Sequence, residues 1–585
     1  MRQRIRFGAQ GRRVTAWQAA LLCLAGSSAL AQTRGTPPVT AHEFMVVAAN
    51  PHAVEAGFEI LDAGGSAVDA AIAVQAVLSM VEPQSSGIGG GAFLLHYDAD
   101  AERTDKLSAY QGRERAPAAG HPGMFLDDSG AELPFPEIAW GGLSVGVPGV
   151  MRMLELAHAD HGRLPWARLF EPAIELAQHG FEISPRLHFL LDRFEDAARA
   201  RSFKAHYFDS DGRALPVGSV LVNEPYAQSL RAIAANGADE MYEGALAEAI
   251  VTAVTGNALS RGAMTLEDLR GYAAEKLEPL CSIYRQWTVC GPQLPSSGGV
   301  TTQQILGIAA QFELDPGDQA QVVHIIAEAG RLAFADRALY LGDPEFLDVP
   351  VAELLAPTYL RARAALIDPA RAMPSVAAGL PERLAAWQYA PSPISELAST
   401  SHFSIVDSEG NAVSMTTSVQ STFGSQLMVG GFLLNNQLTD FSTLPVSGGR
   451  PLANAPDGGK RPLSSMSPTF VFDSQDRIAL IVGSPGGTRI IGYVAQAIVG
   501  VLDLGLDVQQ AVAAPHYLAR FDVVELEERS GLEGLGAALE ALGHSVAQRN
   551  LNSGLHAIAF DYSDAAAPRL LGGVDPRREG VALGR

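Results

Sequence analysis

The stretch "STSHFSIVD", Ser399 to Asp407, crowds hydroxyl side chains against the start of an apolar run. Its alternation predicts a β-strand, with His402, Ser404 and Val406 on one face and Ser401, Phe403 and Ile405 on the other. The turn signal "SEGN" and a second strand-like run, "AVSMTTSV", complete a hairpin. Core packing does not require Thr400 and Ser401 at the head of that hairpin, just after the loose segment "YAPSPISELAS". Three later stretches share the habit. "LLNNQLTDFS" sets Gln437 and Asp440 past an apolar strand, "KRPLSSMSP" holds Ser464 and Ser465 in a loop between prolines, and "GSPGGTR" puts Gly486 and Gly487 after "IALIV". Polar side chains at strand ends can orient a ligand while bare glycine N–H groups face it. Together they predict a pocket for a polar or anionic ligand.

Three other motifs match known chemistry only in their letters. "GLSVG", Gly142 to Gly146, has the spelling of a nucleophile elbow, but that elbow needs a helix directly after the serine. Val147, Pro148 and Gly149 intervene, so Ser144 is expected to be an ordinary strand-end residue. "SGIGGGAF", Ser86 to Phe93, lacks the Lys-Ser/Thr of a phosphate loop and reads as close backbone packing. "HADH", His158 to His161, has no further ligands in view, and a solvated helix surface is expected there rather than a metal site.

The elements that must position the pocket fall into two regimes. Helical signals dominate residues 50 to 375, including "SAVDAAIAVQAVLSMVE", with Ser66 as N-cap after Gly64-Gly65, and "AQVVHIIAEAGRLAFADRALYLG", closed by a glycine. From Thr400 onward strands prevail: "HFSIVD", "AVSMTTSV", "GGFLLNN", "SPTFVFD" and "RIALIVG", before helical "IGYVAQAIVGVLDLG" and "SGLEGLGAALEALG". Helices framing hairpin strands predict a layered α/β architecture around a mainly antiparallel sheet. The chain has 585 residues, 47% hydrophobic and 18% charged, enough for a large core. A formal charge of −22 argues against nucleic acid and means that an anionic ligand needs a specific local cation.

The first residues read as an export signal. The basic "MRQRIRFGAQGRR" precedes the apolar "VTAWQAALLCLAGSSALA", which ends in the small-residue pattern Ala29-Leu30-Ala31. Cleavage after Ala31 is expected, with no stable membrane anchor and a periplasmic or secreted mature protein. Export leaves Cys281 and Cys290, in "LCSIYRQWTVCG". If Arg285 and Gln286 form the turn, the cysteines fall opposite each other in a close cross-strand pair, and a disulfide is expected in an oxidising compartment. Two free buried thiols remain the alternative, because Arg-Gln lacks the Gly or Asn that such turns prefer.

Taken together, "SGIGGGAF", "GRERAP", "LPSSGG", "TSHFSIVD", "NNQLTDFS", "KRPLSSMSP" and "GSPGGTR", in this order, resemble the γ-glutamyltransferase (glutathione hydrolase) proenzymes, members of the N-terminal nucleophile hydrolases. The resemblance runs from "VVAANPHAVEAGFEILDAGGSAVDAA" to near the C-terminus. It implies a four-layer αββα sandwich and self-cleavage between Ser399 and Thr400. A signal peptide of residues 1–31, a large subunit of 32–399 and a small subunit of 400–585 would result, the last two pairing as a heterodimer. Thr400 would attack the Ser399 carbonyl. Its freed α-amine, with a reference pKa of about 7.7–8.0, would then serve as the base for its own hydroxyl.

The same resemblance implies that Arg113 binds the α-carboxylate of a γ-glutamyl substrate, a role suited to a planar guanidinium, with Ser464 and Ser465 assisting. Asp440 and Gln437 would hold the α-amino group, and the N–H groups of Gly486 and Gly487 would form an oxyanion hole. A γ-glutamyl ester on Thr400 would pass to water or to an amino acid or peptide amine. No metal or organic cofactor is implied. This sequence departs from the usual pattern where Ser418 replaces a threonine and Gln420 an asparagine. Its segment from Thr443 to Gly459 is also short and lacks a lid tyrosine. The short lid is expected to favour hydrolysis and also resembles the cephalosporin acylases, which act on glutaryl amides. An uncut, inactive γ-glutamyl-binding homologue is a further alternative.

Overall fold

The computed structural model describes residues 36–102, 106–195, 197–198, 200–382, 387–393, 399–564 and 568–585. The leader through Ala31 and part of the loose segment before Ser399 lie outside the described residues. The alternation read at Ser401–Val406 becomes an inner strand of a seven-stranded sheet. In order, that sheet runs Val581–Gly584, Met45–Ala48, Ser401–Val406, Ala412–Ser418, Gly91–Tyr97, Leu107–Gly112 and Glu275–Leu277. A second seven-stranded sheet lies against it, in the order Val39–Ala41, Arg569–Val574, His556–Asp561, Ile478–Gly483, Thr469–Phe472, Trp287–Gly291 and Leu280–Tyr284. Neighbouring strands are antiparallel throughout both sheets.

Strand periodicity separates the layers. Phe403, Ile405, Val413 and Met415 face outward into a cluster shared with the helices Pro51–Asp62 and Ala67–Val81, while Val406, Ala412 and Leu95 face Phe470 and Ile481 of the second sheet. The outer face of the second sheet, including Val471 and Leu480, packs on Gln319–Tyr340 and Ile490–Leu502. The result is the αββα sandwich. Among the described residues no helix is long and apolar enough to cross a membrane.

Helix Ala67–Val81 starts where the sequence places it. Ser66 and Asp69 form a reciprocal capping box, and every residue of the helix is buried, consistent with its apolar periphery. Gln319–Tyr340 ends on Leu341, one residue before the expected glycine. Strands Leu280–Tyr284 and Trp287–Gly291 pair across Arg285 and Gln286 with Cys281 opposite Cys290, and the two sulfurs are bonded. Arg285 accepts φ +54 where a glycine would be more usual.

Two expectations need correction. Ser144 is not at a strand end: it sits in a buried turn and donates to the Ala139 carbonyl at 3.3 Å, and the next helix begins only at Val150. The His158–His161 stretch is only partly solvated: Ala159 and Asp160 are exposed, while the two histidines are half-buried. His161 stacks on His96 with ring centres 3.7 Å apart and shares a 2.8 Å hydrogen bond with Tyr110, while His158 bonds the Leu164 carbonyl at 3.0 Å. The helix end lies against the sheet, so one side of each imidazole packs while the rest meets water.

"SGIGGGAF" does serve close packing. A Cβ on Gly90 would run into the carbonyl of Ser418, and one on Gly89 into that of Leu433, both rigid backbone. Gly90→Ala is therefore expected to destabilise the protein by about 1–3 kcal/mol, as overpacking does. It should also slow any chemistry that depends on Ser418. Thermal melting and denaturing electrophoresis would read the two effects, and an unchanged melt would remove this explanation of the glycine.

Candidate active site

Register brings the first hydroxyls together. Ser401 pairs with Thr417, so the residue before the strand lies beside Ser418 at the end of its neighbour. Thr400 Oγ1 donates to the Ser399 carbonyl, and Ser418 Oγ donates to the same oxygen at 3.0 Å. The two hydroxyl oxygens are 3.4 Å apart, and Thr400 is 3% exposed. The turn after helix Ala67–Val81 grips this segment: Ser399 Oγ donates to the Gln84 carbonyl and Ser86 Oγ to Ser401 Oγ at 3.0 Å. Gln420 N–H donates to Ser418 Oγ at 2.9 Å from a left-handed backbone, φ +82, a conformation costing a non-glycine residue about 1–3 kcal/mol.

Thr400 and Ser418 share a pocket with Arg113, Gln420, Gln437, Asp440, Ser464, Ser465 and Gly487. Arg113 is fully buried. Its Nε donates to the Pro462 carbonyl at 3.0 Å, and its Nη2 donates to the Leu463 carbonyl at 3.2 Å and to Asp440 Oδ2 at 2.7 Å. Asp440 also accepts from Gln420 Nε2 at 3.0 Å and Gln437 Nε2 at 2.8 Å. Cation and carboxylate thus stand together at one end, able to meet a zwitterion, with the hydroxyls at the other. Gly486 stands one residue behind the lining formed by Gly487 and Thr488, turning the chain at φ +139 against the Tyr493 ring. Among the described residues no His, Cys, Asp or Glu group is placed to hold a metal.

Sequence reasoning missed Arg337, Asn454 and Thr488, which also line the pocket. Arg337 Nε donates to Ser297 Oγ at 2.8 Å and its Nη2 to Ser465 Oγ at 3.0 Å, so it orients one of the paired serines. Burial pulls its guanidinium down to about 10, still cationic at neutral pH. Asn454 Nδ2 donates to the Asp440 carbonyl at 2.7 Å. Arg337 lies in a long apolar helix whose periodicity gives no hint of a pocket; a buried arginine on such a face was the available signal. Glu114, beside Arg113, is raised to about 8 by burial, against the pull of that arginine. Below that pH the pocket carries two arginines against Asp440, a local positive balance within an acidic protein.

The four layers of this αββα sandwich are the fold of the N-terminal nucleophile hydrolases. Within that class the chain belongs to the γ-glutamyltranspeptidase family, whose model, described as Gamma-glutamyltranspeptidase, matches residues 53–585. It is 34% identical to the glutathione hydrolase proenzyme of Bacillus subtilis, aligned over 96% of this chain and 97% of that one. Its identity to the glutathione hydrolase proenzyme of Escherichia coli is 36%, over 92% and 91% of the two chains. The crystal structure of a cephalosporin acylase from Bacillus halodurans is similar in fold, with a TM-score of 0.83, 27% identity and 99% of both chains covered.

The raised Glu114 carboxyl has a sign. The folded protein keeps a proton that the unfolded chain releases above about 4.5, so this group's contribution is fully present below that pH and is lost as pH rises through about 8. Glu114→Gln cannot ionise. Its melting temperature relative to the unaltered protein is expected to rise between about pH 5 and pH 9. A difference that stays constant across that range would show that Glu114 is ionised throughout.

Proposed function

We propose that this protein is a self-cleaving γ-glutamyltransferase and glutathione hydrolase, exported and cut between Ser399 and Thr400. Residues 32–399 and 400–585 then remain paired as large and small subunits. The observation that carries the reading is the single pocket in which the Thr400 hydroxyl and the Arg113–Asp440 pair face the same space. In the first reaction Thr400 Oγ attacks the Ser399 carbonyl carbon, and the hydrogen bond from Ser418 supports the oxygen as it becomes negative. The Thr400 nitrogen leaves with the hydroxyl proton as a free α-amine while an ester forms on Oγ, and water then hydrolyses that ester to the Ser399 carboxylate and the restored Thr400 hydroxyl.

That amine then accepts the Thr400 hydroxyl proton as the oxygen attacks the γ-carbonyl of a γ-glutamyl amide. Arg113, with Ser464 and Ser465, holds the substrate α-carboxylate, while Asp440 and Gln437 hold its α-ammonium. Gln420 steadies Asp440 from the far side. N–H groups at Gly486 and Gly487 receive the oxyanion. The amine product departs, and water or an amino acid or peptide amine takes the γ-glutamyl group from Thr400. A second reading, a glutaryl acylase, is favoured by the similarity to the cephalosporin acylase fold. Asp440 argues against it, since a glutaryl group has no ammonium for that carboxylate to meet.

Thr400→Ala is expected to stay as one chain and to release nothing from a γ-glutamyl anilide; two fragments on a denaturing gel would refute the assignment of the nucleophile. Asp440→Asn separates the substrates. Loss of a charged hydrogen bond, about 1.5–3 kcal/mol, should raise KM for a γ-glutamyl anilide about 10- to 100-fold. Glutaryl anilide cleavage exceeding γ-glutamyl cleavage in the unaltered protein would favour the acylase.

A further inference from the structure

Arg578 lies between the strands Arg569–Val574 and Val581–Gly584, outside the substrate-facing set. Its Nη1 donates to the main-chain carbonyl of Thr400 at 3.0 Å. Thr400 stands one residue ahead of the strand ladder, which begins with the pairing of Ser401 and Thr417, so ladder geometry does not hold that carbonyl. The arginine is fitted closely to its place. A side chain at Gly554, φ +158, would strike Arg578 Cδ at 2.7 Å and Nε at 2.8 Å.

The charged and titratable groups facing this guanidinium are Glu82, Arg186, Tyr493, Asp575 and His556, with Glu579 next in sequence and acting on Glu82. Glu82 is 1% exposed at the end of helix Ala67–Val81 and lies 3.8 Å from Arg186 Nε. Burial, followed by Arg186, pulls Arg578 down to about 9, leaving it a cation at neutral pH. His556 is lowered to about 4 by burial and is neutral there.

We propose that Arg578 is a positioning residue for the nucleophile, holding the Thr400 carbonyl before the chain is cut and anchoring the new chain end afterwards. The inference rests on the reading of Thr400 as nucleophile. Before scission, Thr400 is restrained by peptide bonds on both sides. Afterwards it heads a chain, and chain ends fray unless tied down. The Arg578 bond supplies the tie without touching the hydroxyl. The cation, hydrogen-bonded to the carbonyl of the same residue, also disfavours the ammonium form of the freed amine, so more of it is available as base near neutral pH.

Arg578→Gln and Arg578→Lys, made in the full-length chain, test this. Cutting is followed over time on denaturing gels, and kcat and KM of the processed protein are measured against pH with a γ-glutamyl anilide. The Gln variant should cut more slowly and lose about 10- to 100-fold in kcat, with KM changed less than about threefold, since a displaced reacting group costs rate more than binding. The acid limb of its kcat profile should move to higher pH, and Lys should restore part of both effects. A Gln variant that melts as the unaltered protein does but stays whole also supports the proposal. Unchanged cutting, kcat and acid limb in the Gln variant would overturn it, as would loss of cooperative melting in both variants, which assigns Arg578 to the fold. An unaltered protein that is neither cut nor active would sink the reading of Thr400 itself.

Discussion

Two hydroxyls converge on the carbonyl of Ser399, one from Thr400 and one from Ser418, and much of the molecule serves to keep them there. The constraint is one of register. Shifting the central hairpin by one residue would turn every side chain to the opposite face, sending Phe403 and Ile405 from the helix layer toward the second sheet. The same slip would carry Ser418 away from the Ser399 carbonyl. Apolar burial on both faces of the hairpin thus fixes a polar contact at its end.

The ligand end of the pocket is held by a different balance. Arg113 is removed from water entirely, which is tolerable because two main-chain carbonyls and Asp440 replace its hydration. Asp440 keeps some exposure, 22% of its side chain, so it is free to exchange partners with a cation entering the pocket. Burial suppresses the ionisation of Glu114 and leaves Arg337 charged, so the pocket attracts a carboxylate inside a protein of formal charge −22.

A cut before Thr400 would not separate two bodies. Strands from the earlier and later parts of the chain are interleaved in the first sheet: Met45–Ala48 and Gly91–Tyr97 flank the hairpin of Ser401–Val406 and Ala412–Ser418. In the second sheet Trp287–Gly291 pairs with Thr469–Phe472. The backbone hydrogen bonds and shared apolar clusters that make the sandwich therefore bridge the proposed junction, and scission frees a terminus without dismantling the core.

The sequence by itself determined the strand alternation, the Ser66 cap, the cross-strand placement of Cys281 and Cys290, and the polar stations at Thr400, Gln437, Asp440, Ser464, Ser465 and Gly487. These were legible because capping, alternation and turn counting act over a few residues. Tertiary structure alone decided that Arg337 belongs to the pocket, that Gly486 stands behind Gly487, that His161 stacks on His96, and that Arg578 reaches Thr400. Arg578 lies 178 positions from Thr400 in the chain. No local pattern encodes which distant side chain will meet a given carbonyl; that follows only once sheet order and the packing of the layers have fixed the path of the backbone.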